Sequence, residues 1–130
     1  MKKVIIELRT LYGNSMCAKY FIKEIICKIK ANNIVIDGLY SWSEYLYLKK
    51  YLENDLLIVC IVLDKQVRYQ RLVSRSDRCL TPEKALMRDV REIETVEKGG
   101  SIAFADYYIL NNGSKKELFC RLDQLIEEVL

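Results

Sequence analysis

The sequence predicts an α/β protein, a partial doubly wound parallel sheet of about three strands with helices on both faces. Residues 56–63 read L-L-I-V-C-I-V-L without a polar side chain, and a strand apolar on both faces belongs in a parallel sheet covered above and below. Two further runs, 34–36 and 106–110, alternate with helical stretches, the pattern of βαβ units with right-handed crossovers. The 130 residues are 51% hydrophobic and hold one proline and five glycines. That is enough for one cored domain with short turns, and no linker, repeat or low-complexity segment interrupts it.

The elements follow in order. Over residues 15–30, Cys17, Tyr20, Phe21, Ile25 and Ile29 recur at spacings of three and four, opened by Asn14 or Ser15 as a cap, which predicts a helix; Gly13 ends whatever precedes it. Ile34, Val35 and Ile36 form a short β-branched run stopping at Asp37-Gly38, which reads as a buried strand that delivers an aspartate to its C-terminal end. Ser41 with Glu44 three residues on is a capping box for a helix to about Asn54. After the apolar strand, Asp64 is placed to cap a helix from Lys65 to about Ser74. Thr81-Pro82 opens another helix, expected to end at Gly99-Gly100. Residues 106–110 make a third strand, broken by Asn111-Asn112-Gly113. Ser114 and Glu117 then cap a last helix with Leu118, Leu122, Leu125 and Val129 as its apolar stripe.

Charge and composition exclude several function classes. Twenty-one basic against eighteen acidic residues leave +3, too little for bulk charge to imply a nucleic-acid or membrane partner, so any anion site is local. Five scattered cysteines without a C-x-x-C pair suggest neither a disulfide framework nor a zinc site, and read as reduced thiols of a cytoplasmic protein. With no histidine in the chain, Ser-His and Cys-His dyads are excluded, and chemistry must run on carboxylates, arginines and phosphates. The basic-then-apolar start is cut short by Glu7 and Arg9, well before a signal-peptide core, and no stretch is long and uncharged enough to span a bilayer.

Four features are candidates for chemistry, and each has a plainer alternative. Asp37, at the end of an apolar run, is where open parallel sheets place ligand-binding groups, and a carboxylate there suits magnesium or a substrate hydroxyl; the alternative is an ordinary Asp-Gly turn. Six of the eight arginines (Arg68, Arg71, Arg75, Arg78, Arg88 and Arg91) fall between 68 and 91, against two of thirteen lysines. Guanidinium is preferred where phosphate is recognised bidentately, whereas the plain reading is a solvated face partnered by Asp89 and Glu92. Residues 111–113 offer backbone groups to a base or phosphate, or merely make a good turn. Tyr40, Trp42, Tyr45, Tyr47 and Tyr51 either stack on a base or pack their helix against neighbours.

Read together, V-I-D-G at 35–38, V-L-D-K-Q-V-R-Y-Q-R-L-V-S-R at 62–75, R-D-V-R-E at 88–92 and A-D-Y-Y-I-L-N-N-G-S at 105–114 resemble one family. It is the dephospho-CoA kinase-like and archaeal adenylate-kinase-related branch of the P-loop nucleotide kinases. The resemblance implies a carboxylate near magnesium and acceptor at Asp37, arginines at the base of a mobile lid at Arg71 and Arg75, and lid-side or substrate-phosphate arginines at Arg88 and Arg91. It further implies an acceptor-side arginine at Arg9, and places Asn111, Asn112 and Gly113 beside the adenine. Mg2+ and ATP are the cofactors of an intact member. Residues 4–8 are helical by this resemblance, or a substitute strand.

The departures are specific. Nothing in the chain fits G-x-x-x-x-G-K-[ST], so the amide cradle, the lysine and the magnesium-binding hydroxyl of that loop have no counterpart here. Tyr40 stands where relatives of that branch carry an arginine. The chain is therefore expected to correspond to the C-terminal portion of such a kinase and to be inactive alone, with a nucleotide or CoA-like small molecule as ligand and a P-loop-bearing chain or a second copy as protein partner. A non-catalytic nucleotide- or phosphate-binding domain is the alternative, and single-stranded RNA binding through arginines and aromatics is a weaker one.

Overall fold

The computed structural model describes residues 2–30 and 32–129, with side chains from Glu7 onward. The fold is α/β, with seven α-helices and a two-stranded parallel sheet among the described residues. The chain divides into two compact units, one of residues 1–57 and 91–104 and one of residues 58–90 and 105–130.

The first unit is helical. Helix α1 (Lys2–Tyr12) ends where Gly13 adopts φ +82° and donates its amide to the Arg9 carbonyl at 2.8 Å, a left-handed stop that glycine takes without strain. Helix α2 (Met16–Ile29) buries Ala18, Ile22 and Ile25, at the spacing of one helix face, against Leu48 and Leu52 of α3 (Trp42–Leu52). Burying each of the larger side chains contributes about 1.5–3 kcal/mol. Ser15 occupies the N-cap of α2, but its hydroxyl makes no capping bond.

Helix α3 carries the predicted capping box in full. The Glu44 amide donates to Ser41 Oγ at 3.0 Å, and the Ser41 amide donates to Glu44 Oε2 at 3.2 Å. The helix passes into a 3-10 turn at Glu53–Asp55. The expected strand at residues 34–36 does not form. The segment between α2 and α3 forms no regular element, with Ile34 packed on the helical core and Val35 96% exposed. A β-branched run favours extended backbone, yet only a neighbouring strand makes it a strand.

The second unit holds the sheet. Strand β1 (Val59–Val62) pairs in parallel with β2 (Tyr107–Leu110), Val59 opposite Tyr107 and Val62 opposite Leu110. The sheet thus has two strands rather than about three. The predicted strand over 56–63 shortens to four residues, and Val59 and Ile61 are 37% and 47% exposed instead of covered on both faces. Helix α4 (Lys65–Val73) follows β1 with Asp64 at its N-cap, although the Asp64 carboxylate makes no capping bond. Helix α7 (Lys115–Val129) packs on β2, and its predicted stripe of Leu118, Leu122, Leu125 and Val129 is its half-buried face.

Helix α5 (Pro82–Glu94) belongs to the second unit up to Val90 and to the first from Arg91. It stops well before Gly99-Gly100, which instead lie inside α6 (Lys98–Ala103). The break comes at Glu97, held at φ +61°. Its carbonyl accepts the Trp42 amide at 3.1 Å, and its carboxylate accepts the Ser43 hydroxyl at 2.7 Å, so the chain turns in order to cap α3. Gly100 is needed for a close approach: a Cβ there would meet Trp42 Cε3 at 2.8 Å, whereas one on Gly99 meets nothing within 4 Å.

That contrast yields a paired expectation. Gly99→Ala raises stability by about 0.5–1 kcal/mol through helix propensity, while Gly100→Ala lowers it by displacing Trp42 from its stack with Tyr45. Urea unfolding of the two variants checks both signs.

Candidate functional site

In the first unit the candidate groups gather at the N-terminus of α3. Ser41 is fully buried and Glu44 is 3% exposed. Glu44 Oε2 also accepts the Tyr40 amide at 2.9 Å, and Oε1 accepts Arg9 Nη2 at 3.0 Å. The Ser41 hydroxyl donates to the Asn14 carbonyl at 3.2 Å, which ties in the connection between α1 and α2. Arg9 is the acceptor-side candidate, and it stands here in a buried ion pair while its Nε is buried without an acceptor, a costly state for a donor.

Tyr40 links this node to the Asp37-Gly38 turn. Its ring lies so close to Gly38, which adopts φ +96°, that a Cβ there would meet Tyr40 Cε2 at 2.6 Å. The Arg9 guanidinium carbon and Lys98 Nζ each lie 5.7 Å from the ring centroid, within cation–π range. Lys98 is in turn paired with Glu92 at 2.9 Å. Asp37 is exposed on the turn, and Arg91 is exposed on the last stretch of α5. Among the described residues no group of three or more carboxylate, cysteine or histidine side chains is placed to hold a metal.

In the second unit the candidates gather at the carboxyl ends of β1 and β2. Arg71 donates to the carbonyls of Asn111 at 2.7 Å, Asn112 at 3.1 Å and Gly113 at 2.6 Å. The Asn111 amide donates to the Val62 carbonyl at 2.7 Å, and Asn112 Oδ1 accepts the Asp64 amide at 2.9 Å. The turn after β2 is thus stitched to the end of β1 and to α4. Asn111, Asn112, Gly113 and Arg71, predicted from separate motifs, come together in one place.

The rest of the arginine cluster divides. Arg68 makes a two-pronged bond to Asp89, with Nη1 to Oδ1 at 2.8 Å, and Tyr69 donates its hydroxyl to the same carboxylate. That carboxylate raises the Tyr69 phenol above its ordinary value, chiefly through this hydrogen bond. For Arg68 the plainer reading, partnership with Asp89, is the one observed. Arg75 lies exposed beyond the end of α4, and Arg88 is exposed on α5. The aromatic segment is largely packing: Trp42 stacks on Tyr45 at 4.9 Å between centroids and meets Phe104 at a tilt of 53° with centroids 4.8 Å apart.

Sequence reasoning missed Glu44 as an ion-pair partner, and Lys98 and Glu97 altogether. Glu44 was visible as a capping residue, and its second oxygen was the signal that it had capacity to spare. Lys98 and Glu97 carried no local pattern, because their roles arise from a contact across more than 50 residues of chain.

Two expectations follow. Glu44→Ala strands Arg9 and two amides and costs about 3 kcal/mol, whereas Glu24→Ala, which removes an exposed pair with Lys28, leaves the urea midpoint unchanged. The Glu97 carboxyl is held below its ordinary value, first by the Ser43 hydroxyl, against an opposing effect of burial. A depressed carboxyl stabilises the fold above the ordinary carboxylate range and loses that contribution as pH falls through its folded-state value. Ser43→Ala is therefore less stable than the parent by up to about 1 kcal/mol at neutral pH, and the gap narrows in acid, as denaturation at pH 7 and pH 3 will read.

No family model matches the chain. It is similar along nearly its whole length to archaeal proteins that share one family name. A UPF0200 protein of Thermococcus kodakarensis is 32% identical over 132 residues, covering 98% of this chain and 71% of that protein. One of Sulfurisphaera tokodaii is 31% identical over 126 residues, covering 95% and 68%, and one of Saccharolobus solfataricus is 29% identical over 126 residues, covering 95% and 66%. At this identity and coverage the chain belongs to the UPF0200 family.

Proposed function

We propose that the chain is a kinase-like nucleotide-binding domain, which holds a nucleotide or CoA-like phosphorylated molecule at the carboxyl ends of β1 and β2. The observation that carries this reading is the clamp of Arg71 on the three carbonyls of residues 111–113. Open parallel sheets bind ligands outside the carboxyl ends of their strands, and a turn already held rigid loses little entropy when a base settles against it. Arg75 and Arg88 supply positive charge in the same unit. Arg9, Asp37 and Arg91, to which the kinase resemblance gives acceptor and metal roles, belong to the first unit.

Phosphoryl transfer from ATP is the reaction it assigns to a complete protein of this kind, with arginines offsetting charge on the transferred group and Asp37 orienting magnesium or acceptor. The 130 residues contain no G-x-x-x-x-G-K-[ST], and they do not fit the triphosphate cradle that transfer requires. This chain by itself accordingly binds without transferring. Tyr40, lodged between the Gly38 turn and Arg9, favours a second reading in which the domain is a non-catalytic sensor of the same ligands.

Calorimetric titration with ADP, ATP and CoA tests the proposal. Binding at or below millimolar concentration is expected, with little salt dependence. Arg71→Ala weakens it at least tenfold, about 1.4 kcal/mol, while Arg78→Ala, whose guanidinium is exposed beside Asp77, leaves it unchanged. Absence of binding by all three ligands overturns the reading. Steeply salt-dependent binding of oligonucleotides in their place moves the assignment to RNA.

A further inference from the structure

Helix α7 has two apolar faces, and the sheet uses one of them. Leu118, Leu122, Leu125 and Val129 are half-buried, and from the same side of the helix Arg121 Nη1 donates to the Leu110 carbonyl at 2.6 Å. Phe119 and Ile126 lie off that side, 58% and 50% exposed. Residues seven apart on a helix fall on one stripe, so the pair makes a second apolar strip along a helix about 22 Å long. Single exposed apolar side chains are ordinary on a protein surface. What singles out this strip is the charge beside it.

The charges of α7 run against its own dipole. Lys115 and Lys116 open the helix, Glu127 and Glu128 close it, and its last turn holds no basic residue; all four side chains are exposed. A helix favours anions at its N-terminal end and cations at its C-terminal end, so these lysines and glutamates stand where an isolated helix gains least from them. Turned head to tail against a copy of itself, the same arrangement becomes complementary. A two-fold axis beside Leu122 sets Phe119 of each helix against Ile126 of the other. Lys116 and Glu127, eleven residues apart and so on one flank of the strip, then meet across the pair twice, once on each side of the axis.

We infer that the face of α7 bearing Phe119 and Ile126 pairs antiparallel with the same face of a second copy of this chain. The two apolar side chains of each copy supply the contact, and the charged ends set its direction. Asp123, between them on the same flank, faces its own counterpart near the axis and is the one repulsive element of the arrangement. An interface made by a single helix lies at the small end of specific contacts, so the dimer is weak and reversible. The inference concerns α7 alone and is independent of nucleotide binding.

Sedimentation equilibrium of the full chain without nucleotide tests it. A concentration-dependent monomer–dimer equilibrium with a micromolar midpoint is expected. Lys116→Glu and Glu127→Lys each set like charges against one another and weaken the dimer at least tenfold. Both substitutions suit the helix dipole better than the parent residues do, so thermal melts are expected to show folding undiminished and to separate loss of pairing from loss of structure. Mixed together, the two single variants associate with each other in preference to themselves, because both cross-pairs are then opposite in sign. Asp123→Asn strengthens the dimer. A chain that stays monomeric at millimolar concentration, a dimer indifferent to the two charge substitutions, or mixed variants that fail to associate overturns the inference and leaves this face to a different partner.

Discussion

A single buried carboxylate holds the first unit together. Glu44 takes two backbone amides and the Arg9 guanidinium on its two oxygens, and so joins α1, the segment before α3, and α3 itself. Little of this energy is the ion pair as such, since burying two charges costs nearly what their attraction returns. The firm part is the requirement that no member be left alone. Once Ser41 and Glu44 are buried, Arg9 has to be there, and so does the Asn14 carbonyl that accepts the Ser41 hydroxyl. The aliphatic contact between α2 and α3 supplies the driving force, and this polar node fixes how the neighbouring segments enter it.

The second unit uses the same logic with a cation at the centre. Arg71 satisfies three carbonyls of one turn with donors that its guanidinium holds in a fixed plane. The clamp joins α4 to the loop after β2, and the Asp106 carboxylate closes the opposite end of the ribbon by accepting the Ile58 amide at 2.7 Å. Both ends of a four-residue parallel pair are therefore tied by side chains. Short parallel strands need that help, since pairing alone holds them weakly.

Most elements were legible because their signals are local. The capping box at Ser41, the stripe of α7, the stop at Gly13 and the Thr81-Pro82 start all depend on residues within one or two turns of each other. The failures share an opposite cause. Residues 34–36 have strand composition, but a strand is defined by its neighbour, and the sequence window holds none. Gly99-Gly100 read as a terminator because glycine breaks helices on average. Here Gly100 instead makes room for Trp42, more than 50 residues away in sequence. At the candidate sites, Arg71 and the 111–113 turn were each singled out, but their union could not be foreseen, because it depends on the register of two strands.

The arginine cluster shows how pairing changes the meaning of composition. Six arginines in a stretch of 24 residues suggest a strong positive field, yet Arg68 is neutralised by Asp89, and the terminal nitrogens of Arg71, though still charged, are engaged with three carbonyls. Arg78 sits beside Asp77 in solvent, where screening leaves such a pair little weight. Long-range attraction of a polyanion depends on the summed field, and that sum is small here. Recognition of one phosphate group depends on a few guanidinium groups within hydrogen-bonding reach, and cancellation elsewhere does not weaken them. The number of arginines in the stretch therefore overstates the positive charge it leaves for any partner.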